Sequence, residues 1–294
     1  MAIKKTAGER IFDIVLAIFL IGWCFITIYP FLNCVAYSFS NGLKAQAGGI
    51  YLWPKDFTVY SYQLVFEDQE IINGYIITIL RTVIGVITGV AMTGLFAYAL
   101  SKQELMGRTW MLMLCTISMI FNAGLIPTYM LYRDLHLLNN FLVYILPALI
   151  NVWNMILMKT YFQGLPKELE EAAKIDGCST LQTFVKIVIP ISMPIVATIC
   201  IFVGVAQWNS WFDAFMYVND NRLQPVQTYL YRIIAQMQAK QDDPYQSQQV
   251  ERNRKSVLTV RSATVVITTL PIVLIYSIFQ KHFIKGVMIG AIKG

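Results

Sequence analysis

The chain has 294 residues, of which 56% are hydrophobic and only 14% charged, with a mean hydropathy of +0.56 and a formal net charge of +6. A soluble domain carries about 25% charged residues, so a water-soluble globular protein is excluded. The basic residues are scattered near the ends of apolar runs, the pattern that orients membrane spans, and form no nucleic-acid-binding patch.

Several apolar runs exceed about 18 residues, enough to span a bilayer. The expected fold is an all-α polytopic membrane protein with about six spans in a single transmembrane domain, residues 1–294. Four of the five cysteines, Cys24, Cys34, Cys115 and Cys200, lie in apolar runs, and none of the five, Cys178 included, forms a CxxC pair. Neither a disulfide framework nor a metal site is indicated. His136 and His282 are far apart, and no HExxH, P-loop, GxSxG or paired-carboxylate pattern occurs. The sequence carries no machinery for hydrolysing ATP.

Met1 to Arg10 is a short basic lead, and the run Ile11 to Ala36 reads as the first span, with Pro30 kinking its outer end. It is too long for a signal peptide and lacks a small-x-small cleavage site. Ser38 to Glu70 reads as a polar, aromatic loop. The second span, about Gly74 to Leu100, contains Arg81; an arginine paired within the bundle is preferred to one facing a pathway. The third span, about Trp110 to Leu131, is broken at Asn122-Ala123-Gly124 and Pro127, and such breaks are tolerated at membrane depth only beside protein or a watery cavity. The fourth, about Phe141 to Tyr161, holds Asn151 and Asn154 three apart on one face. The fifth, about Val188 to Tyr217, has Pro190 and Pro194 near its start and Gln207, Trp208, Asn209, Trp211 and Asp213 at its outer end. Residues 219–255 form the longest polar segment. Within it Val226, Tyr229, Leu230, Ile233, Ile234 and Met237 follow amphipathic helical spacing. The sixth span is about Val257 to Phe279, and a basic, glycine-containing end follows.

Orientation follows from lysine and arginine in the short loops. Lys4, Lys5, Arg10, Lys102, Arg108, Lys159, Lys167, Lys174, Lys186, Lys281, Lys285 and Lys293 fall on one side, against Lys44, Lys55 and Arg133 on the other. The long 219–255 loop, with charges of both signs, is discounted. Both termini are therefore expected in the cytoplasm.

The most polar part of the C-terminal half is Leu165 to Pro190, LPKELEEAAKIDGCSTLQTFVKIVIP. Pro166 suits a first helical position, and Glu168, Glu170 and Glu171 complement the dipole in the opening turns. Gly177 can end that helix in the left-handed conformation, and Ser179 with Gln182 makes a capping box for the next. The expected product is a helix–turn–helix elbow with a first arm of about 10 residues. Leu169, Ala172, Ala173 and Asp176 share one face of that arm. Spacing alone leaves two readings open: a helix packed on its own bundle, or a bare-backboned face presented to another protein.

Glu171-Ala172-Ala173, three residues, Gly177, nine residues, then Ile187-Val188-Ile189-Pro190 resembles the EAA loop of binding-protein-dependent ABC importers. Ile189 stands where leucine is usual. The LPKELEEAAKIDG stretch resembles the carbohydrate-uptake branch, the MalG-like permeases, and the QKHFIKG end is similar as well. The resemblance implies an ABC type I importer permease in a bacterial cell membrane, not an enzyme, with the arm 166–177 as a coupling helix on a cytoplasmic ATPase. Glu171, Ala172, Ala173, Asp176 and Gly177 then carry the coupling. It also implies two ATPase subunits that bind the ATP and Mg, a second homologous permease, an extracytoplasmic sugar-binding protein and an oligosaccharide as substrate, and no nucleic acid. A sugar path needs amides beside aromatic plates, which makes Asn122, Asn151, Asn154, Gln207, Trp208, Asn209, Trp211 and Asp213 its candidate lining. Arg232 and Gln236, on the polar side of the amphipathic segment, are candidate contacts for the binding protein. A self-powered secondary transporter or channel is the alternative; no internal repeat and few mid-span charges speak for it.

Overall fold

The computed structural model describes residues 6–121, 123–241, 258–275 and 277. All regular structure among them is helical. Among the described residues, three helices are long and apolar enough to cross a membrane unaided: α1 (Ala7–Ser38), α4 (Gln69–Ser101) and α14 (Leu258–Ile275). Three further bent helix pairs pass the same test of length and composition when each is taken as one span. α5 (Arg108–Ile120) and α6 (Leu125–Asp134) form one. A 3₁₀ stretch over 141–148 and α7 (Val152–Gln163) form the second, bent by 43°. The third joins 180–191, containing α9 (Thr180–Thr183), a π-helical turn (Phe184–Val188) and α10 (Ile189–Ile191), to α11 (Met193–Asn209) across an 87° bend.

The breaks fall at or beside glycine, proline and serine, and the one in the third span lies where it was expected. Gly124 enters α6 at φ +86°, a conformation that needs no Cβ. Pro147 lies in the 3₁₀ stretch, where its missing N–H does not interrupt an α-helical ladder. Ser192 ends α10, and Pro194 falls in the first turn of α11. The fifth span, expected to run through to Tyr217, breaks after Asn209 and resumes as α12 (Phe212–Tyr217). Pro30 sits inside α1 without ending it. The segment expected as a loop after Ser38 contains two short helices, α2 (Gly42–Gln46) and α3 (Tyr60–Glu67).

The chain divides into two compact units. In the first, from the described parts of 1–68 and 232–269, the Asn33 side chain donates to the carbonyls of Ile50 and Tyr51. Phe39 there stacks on Phe57, and Cys34 Sγ lies 3.7 Å from the Ser262 carbonyl. The second unit, from the described parts of 69–231 and 270–294, is built on α4. That helix packs on α7 and α11 through glycines at which a side chain would collide. A Cβ on Gly85 would lie 2.9 Å from Gln207 on α11, and one on Gly94 3.2 Å from Met158 on α7. Small residues let transmembrane helices approach to backbone contact. Ala97, Tyr98, Leu100, Met155, Met158, Phe162, Phe184, Val188, Ile195 and Ile199 close into the unit's main apolar core.

Candidate functional site

Two places in the second unit carry groups that packing alone does not require. The first is a cavity of about 860 Å³ bordered by α4, the 3₁₀ stretch, α7, α11 and α12. Its charged wall is set by Arg81, which is 1% exposed. Nε and Nη2 donate to Gln207 Oε1 at 3.1 and 3.0 Å. Nη1 donates to the Ser210 carbonyl and to Asp213 Oδ1, both at 3.3 Å, and Nη2 to Asp213 Oδ2 at 2.5 Å. The guanidinium carbon sits 4.3 Å from the centroid of the Tyr144 ring. A buried charge survives only when paired and hydrogen-bonded, and this one is both.

The break between α11 and α12 makes the pairing possible. Carbonyls near a helix end lose their intrahelical partners, and the Ser210 carbonyl takes Arg81 as donor. The Ser210 hydroxyl and the Ala214 N–H both donate to Asp213 Oδ1. Gln207 Nε2 donates to the Tyr144 carbonyl, tying α11 to the 3₁₀ stretch. Space for the Gln207 side chain comes from Gly85, where a Cβ would lie 2.9 Å from Nε2.

Of the residues expected to line a path, Asn151, Asn154, Gln207 and Asp213 border this one cavity. Asn151 is the N-cap of α7 and accepts from the Asn154 N–H. Three others point elsewhere. Trp208 is buried against Tyr75 with ring centroids 6.4 Å apart. Asn209 bonds back to the Val205 carbonyl. Trp211 stacks on Tyr231 at 4.0 Å and 16°. Asn122 lies outside the described residues. The cavity also takes in Arg81, Tyr132, Tyr144, Trp153 and Tyr217, none of which was among the expected lining. A lone arginine in an apolar run was the one available signal for this wall. Its partner, 132 positions away, is invisible to local pattern.

The second place is the elbow. α8 (Glu168–Ile175) starts two residues after Pro166, because the Lys167 carbonyl already accepts from the Glu170 and Glu171 amides. The Gly177 N–H bonds to the Lys174 carbonyl and the Cys178 N–H to the Ala173 carbonyl, a Schellman ending, with Gly177 at φ +78°. The Ser179–Gln182 capping box then opens α9. The two alanines part company: Ala173 is buried at 2% exposure, while Ala172 is exposed along with Glu171, Asp176 and Gly177. Ile175, absent from the expected set, is 87% exposed. Lys102, just past α4, pairs with Glu170 and lies over the Tyr98 ring.

The amphipathic segment forms α13 (Val226–Gln241). Its first turn is anchored by Val226, whose N–H donates to Thr78, and by Thr228, whose hydroxyl donates to the Trp211 carbonyl. Arg232 lies on it, half-buried; the Gln236 side chain is outside the described ones.

The family described as "Binding-protein-dependent transport system inner membrane component" matches residues 4–289. The chain is 35% identical over 286 residues to the polygalacturonan/rhamnogalacturonan transport system permease protein YtcP of Bacillus subtilis, covering 97% of this chain and 99% of that one. It is 38% identical over 292 residues to Protein LplC of the same organism, covering 99% and 97%. Among solved structures, a chain of a bacterial ABC transporter involved in the import of the acidic polysaccharide alginate superposes with a TM-score of 0.86 at 32% identity, over 96% of this chain and 100% of that one.

Proposed function

The chain belongs to the family of binding-protein-dependent transport system inner membrane components, and on that premise we propose that it passes an oligosaccharide, released from a complex polysaccharide, across a bacterial cell membrane. As a permease subunit of an ABC importer it is not itself an enzyme; ATP and Mg are bound by the partner ATPase. The observation that carries the reading is the elbow, an exposed helix closed by Gly177 on a chain that has no nucleotide-binding motif. Its exposed residues, Glu171, Ala172, Ile175 and Asp176, suit a groove on that ATPase, while Ala173 and the Lys102–Glu170 pair hold the helix to its own bundle.

The sugar class is supported by the printed functions of whole-length relatives, one a polygalacturonan/rhamnogalacturonan permease and one a melibiose/raffinose/stachyose import permease, MelC of Bacillus subtilis. Asn151, Asn154, Gln207 and Asp213 form this subunit's share of the path. A second, related permease supplies the rest, two ATPase subunits dock from the cytoplasm, where both termini lie, and an extracytoplasmic binding protein delivers the sugar near α13. The test is reconstitution of the whole complex in liposomes with its binding protein, followed by ATP-dependent uptake of labelled pectic oligosaccharides. Uptake that needs both ATP and the binding protein is expected; uptake driven by an ion gradient alone refutes the reading. A photo-crosslinker at Arg232 is expected to capture the binding protein, and capture of lipid alone removes α13 from the docking surface.

A further inference from the structure

The wall of the cavity uses its charges unevenly. A guanidinium has five N–H donors, and those of Arg81 are all engaged, by Gln207, Ser210 and Asp213. None is left for an incoming anion, and the group is sealed at 1% exposure. Its partner is the accessible member, with the Asp213 side chain 25% exposed on the cavity wall. Asp213 Oδ1 accepts from Arg81, Ser210 and Ala214, while among the described residues Oδ2 accepts from Arg81 alone. A carboxylate oxygen offers two acceptor sites, so Oδ2 keeps capacity for one more donor.

Asn154 supplies the second observation. It borders the same cavity at 6% exposure, and among the described residues its carboxamide has no hydrogen-bond partner. The amide is open to the cavity and not sealed in the fold, so its partner comes from the cavity side, as water or as a bound ligand. Trp153, 55% exposed, contributes an aromatic plate to the same wall.

We propose that this cavity is a subsite for one uncharged sugar residue of the translocated oligosaccharide, a proposal that rests on the permease reading above. A sugar hydroxyl both donates and accepts. It satisfies the Asn154 carboxamide in either sense, and a neighbouring hydroxyl gives its proton to Asp213 Oδ2. The weakly apolar ring face lies against Trp153. A uronate carboxylate placed there has no proton to give Asp213 Oδ2 and finds no free N–H on Arg81, so it loses the hydrogen bond that a hydroxyl makes. The subsite therefore takes hydroxyl edges and turns carboxylates away.

The test uses the whole transporter complex in lipid nanodiscs without its binding protein, with galactose and galacturonate as probes, which differ only at C6. Saturation-transfer NMR reads weak binding of each. Galactose is expected to show at least about fivefold stronger transfer than galacturonate, and Asn154→Leu to reduce the galactose signal by about fivefold, the loss expected for one hydrogen bond. The substitution breaks no internal bond, and Trp153→Ala, on the opposite side of the chemistry, is expected to lower the same signal should the leucine variant fail to assemble. Equal or stronger transfer to galacturonate, no transfer to either sugar, or a galactose signal unchanged in both variants overturns the proposal. ATP-driven uptake by the same wild-type complex keeps the two readings apart. Uptake without galactose binding defeats the subsite alone, and absence of uptake defeats the permease reading beneath it.

Discussion

Replacing Asp213 by Asn keeps the shape of the side chain and removes one charge from a buried pair. Arg81 cannot answer by losing its proton, because guanidinium stays charged in proteins, and at 1% exposure it cannot reach bulk water. Removing one partner of a fully buried pair costs about 3–5 kcal/mol. Asp213 is 25% exposed, so water in the cavity screens part of the attraction, and the amide oxygen still accepts one bond from Nη. We expect a loss of about 2–3 kcal/mol, which lowers the folded-to-unfolded ratio on the order of 30- to 150-fold. Thermal unfolding of the nanodisc-embedded complex, followed by retention of the monodisperse species, measures it. Arg81→Met alone is expected to cost less, because the orphaned Asp213 can be hydrated from the cavity. Arg81→Met with Asp213→Asn removes both charges, so the two single losses should exceed the double loss by at least about 1 kcal/mol, as for residues in one network. A single mutant within about 0.5 kcal/mol of wild type, or two losses that simply add, refutes the assignment of the pair as an energetically coupled staple.

Gly85→Ala is expected to weaken the same network by displacing Gln207, since the new Cβ would sit 2.9–3.0 Å from its side chain; a lower unfolding temperature checks it, and a wild-type one counts against it. Gly177→Val is expected to strain the turn by about 1 kcal/mol or more, for the backbone is at φ +78° although open space surrounds the site. The variant should reach the membrane and lose ATPase co-purification, and a wild-type yield of the complex counts against it. Ala172→Arg and Ala173→Arg separate docking from folding. The exposed position should cost ATPase association alone, and the buried one thermal stability as well, so equal thermal profiles would show that the inward placement of Ala173 does not matter.

Much of the architecture was legible locally because membrane spans obey a strong one-dimensional rule. A run of apolar residues long enough to cross a bilayer has few alternatives to a helix, since its backbone finds no other partners there. That rule sufficed for Ile11 to Ala36 and Gly74 to Leu100, which the structure extends only by a few residues into α1 and α4. Capping chemistry is equally local, so Gly177 at the end of α8 and the Ser179–Gln182 box at the start of α9 could be read from spacing. The two helices after Ser38 were missed because α2 and α3 are short and carry no long apolar period.

What the sequence by itself determined, then, was the helical membrane class, the break in the third span, the caps of the elbow and the family whose loop it resembles. Only the tertiary structure decided which polar residues meet. Gln207 and Trp208 are neighbours in sequence, yet one helix face carries Gln207 to Arg81 and the next position turns Trp208 toward Tyr75. Ala172 and Ala173 part for the same reason, because successive residues on an α-helix point about 100° apart and only packing decides which of them faces the bundle. The Arg81–Asp213 pair lay beyond any local pattern, since it forms only when α4 packs against α11 and the break at Ser210 turns Asp213 back onto it.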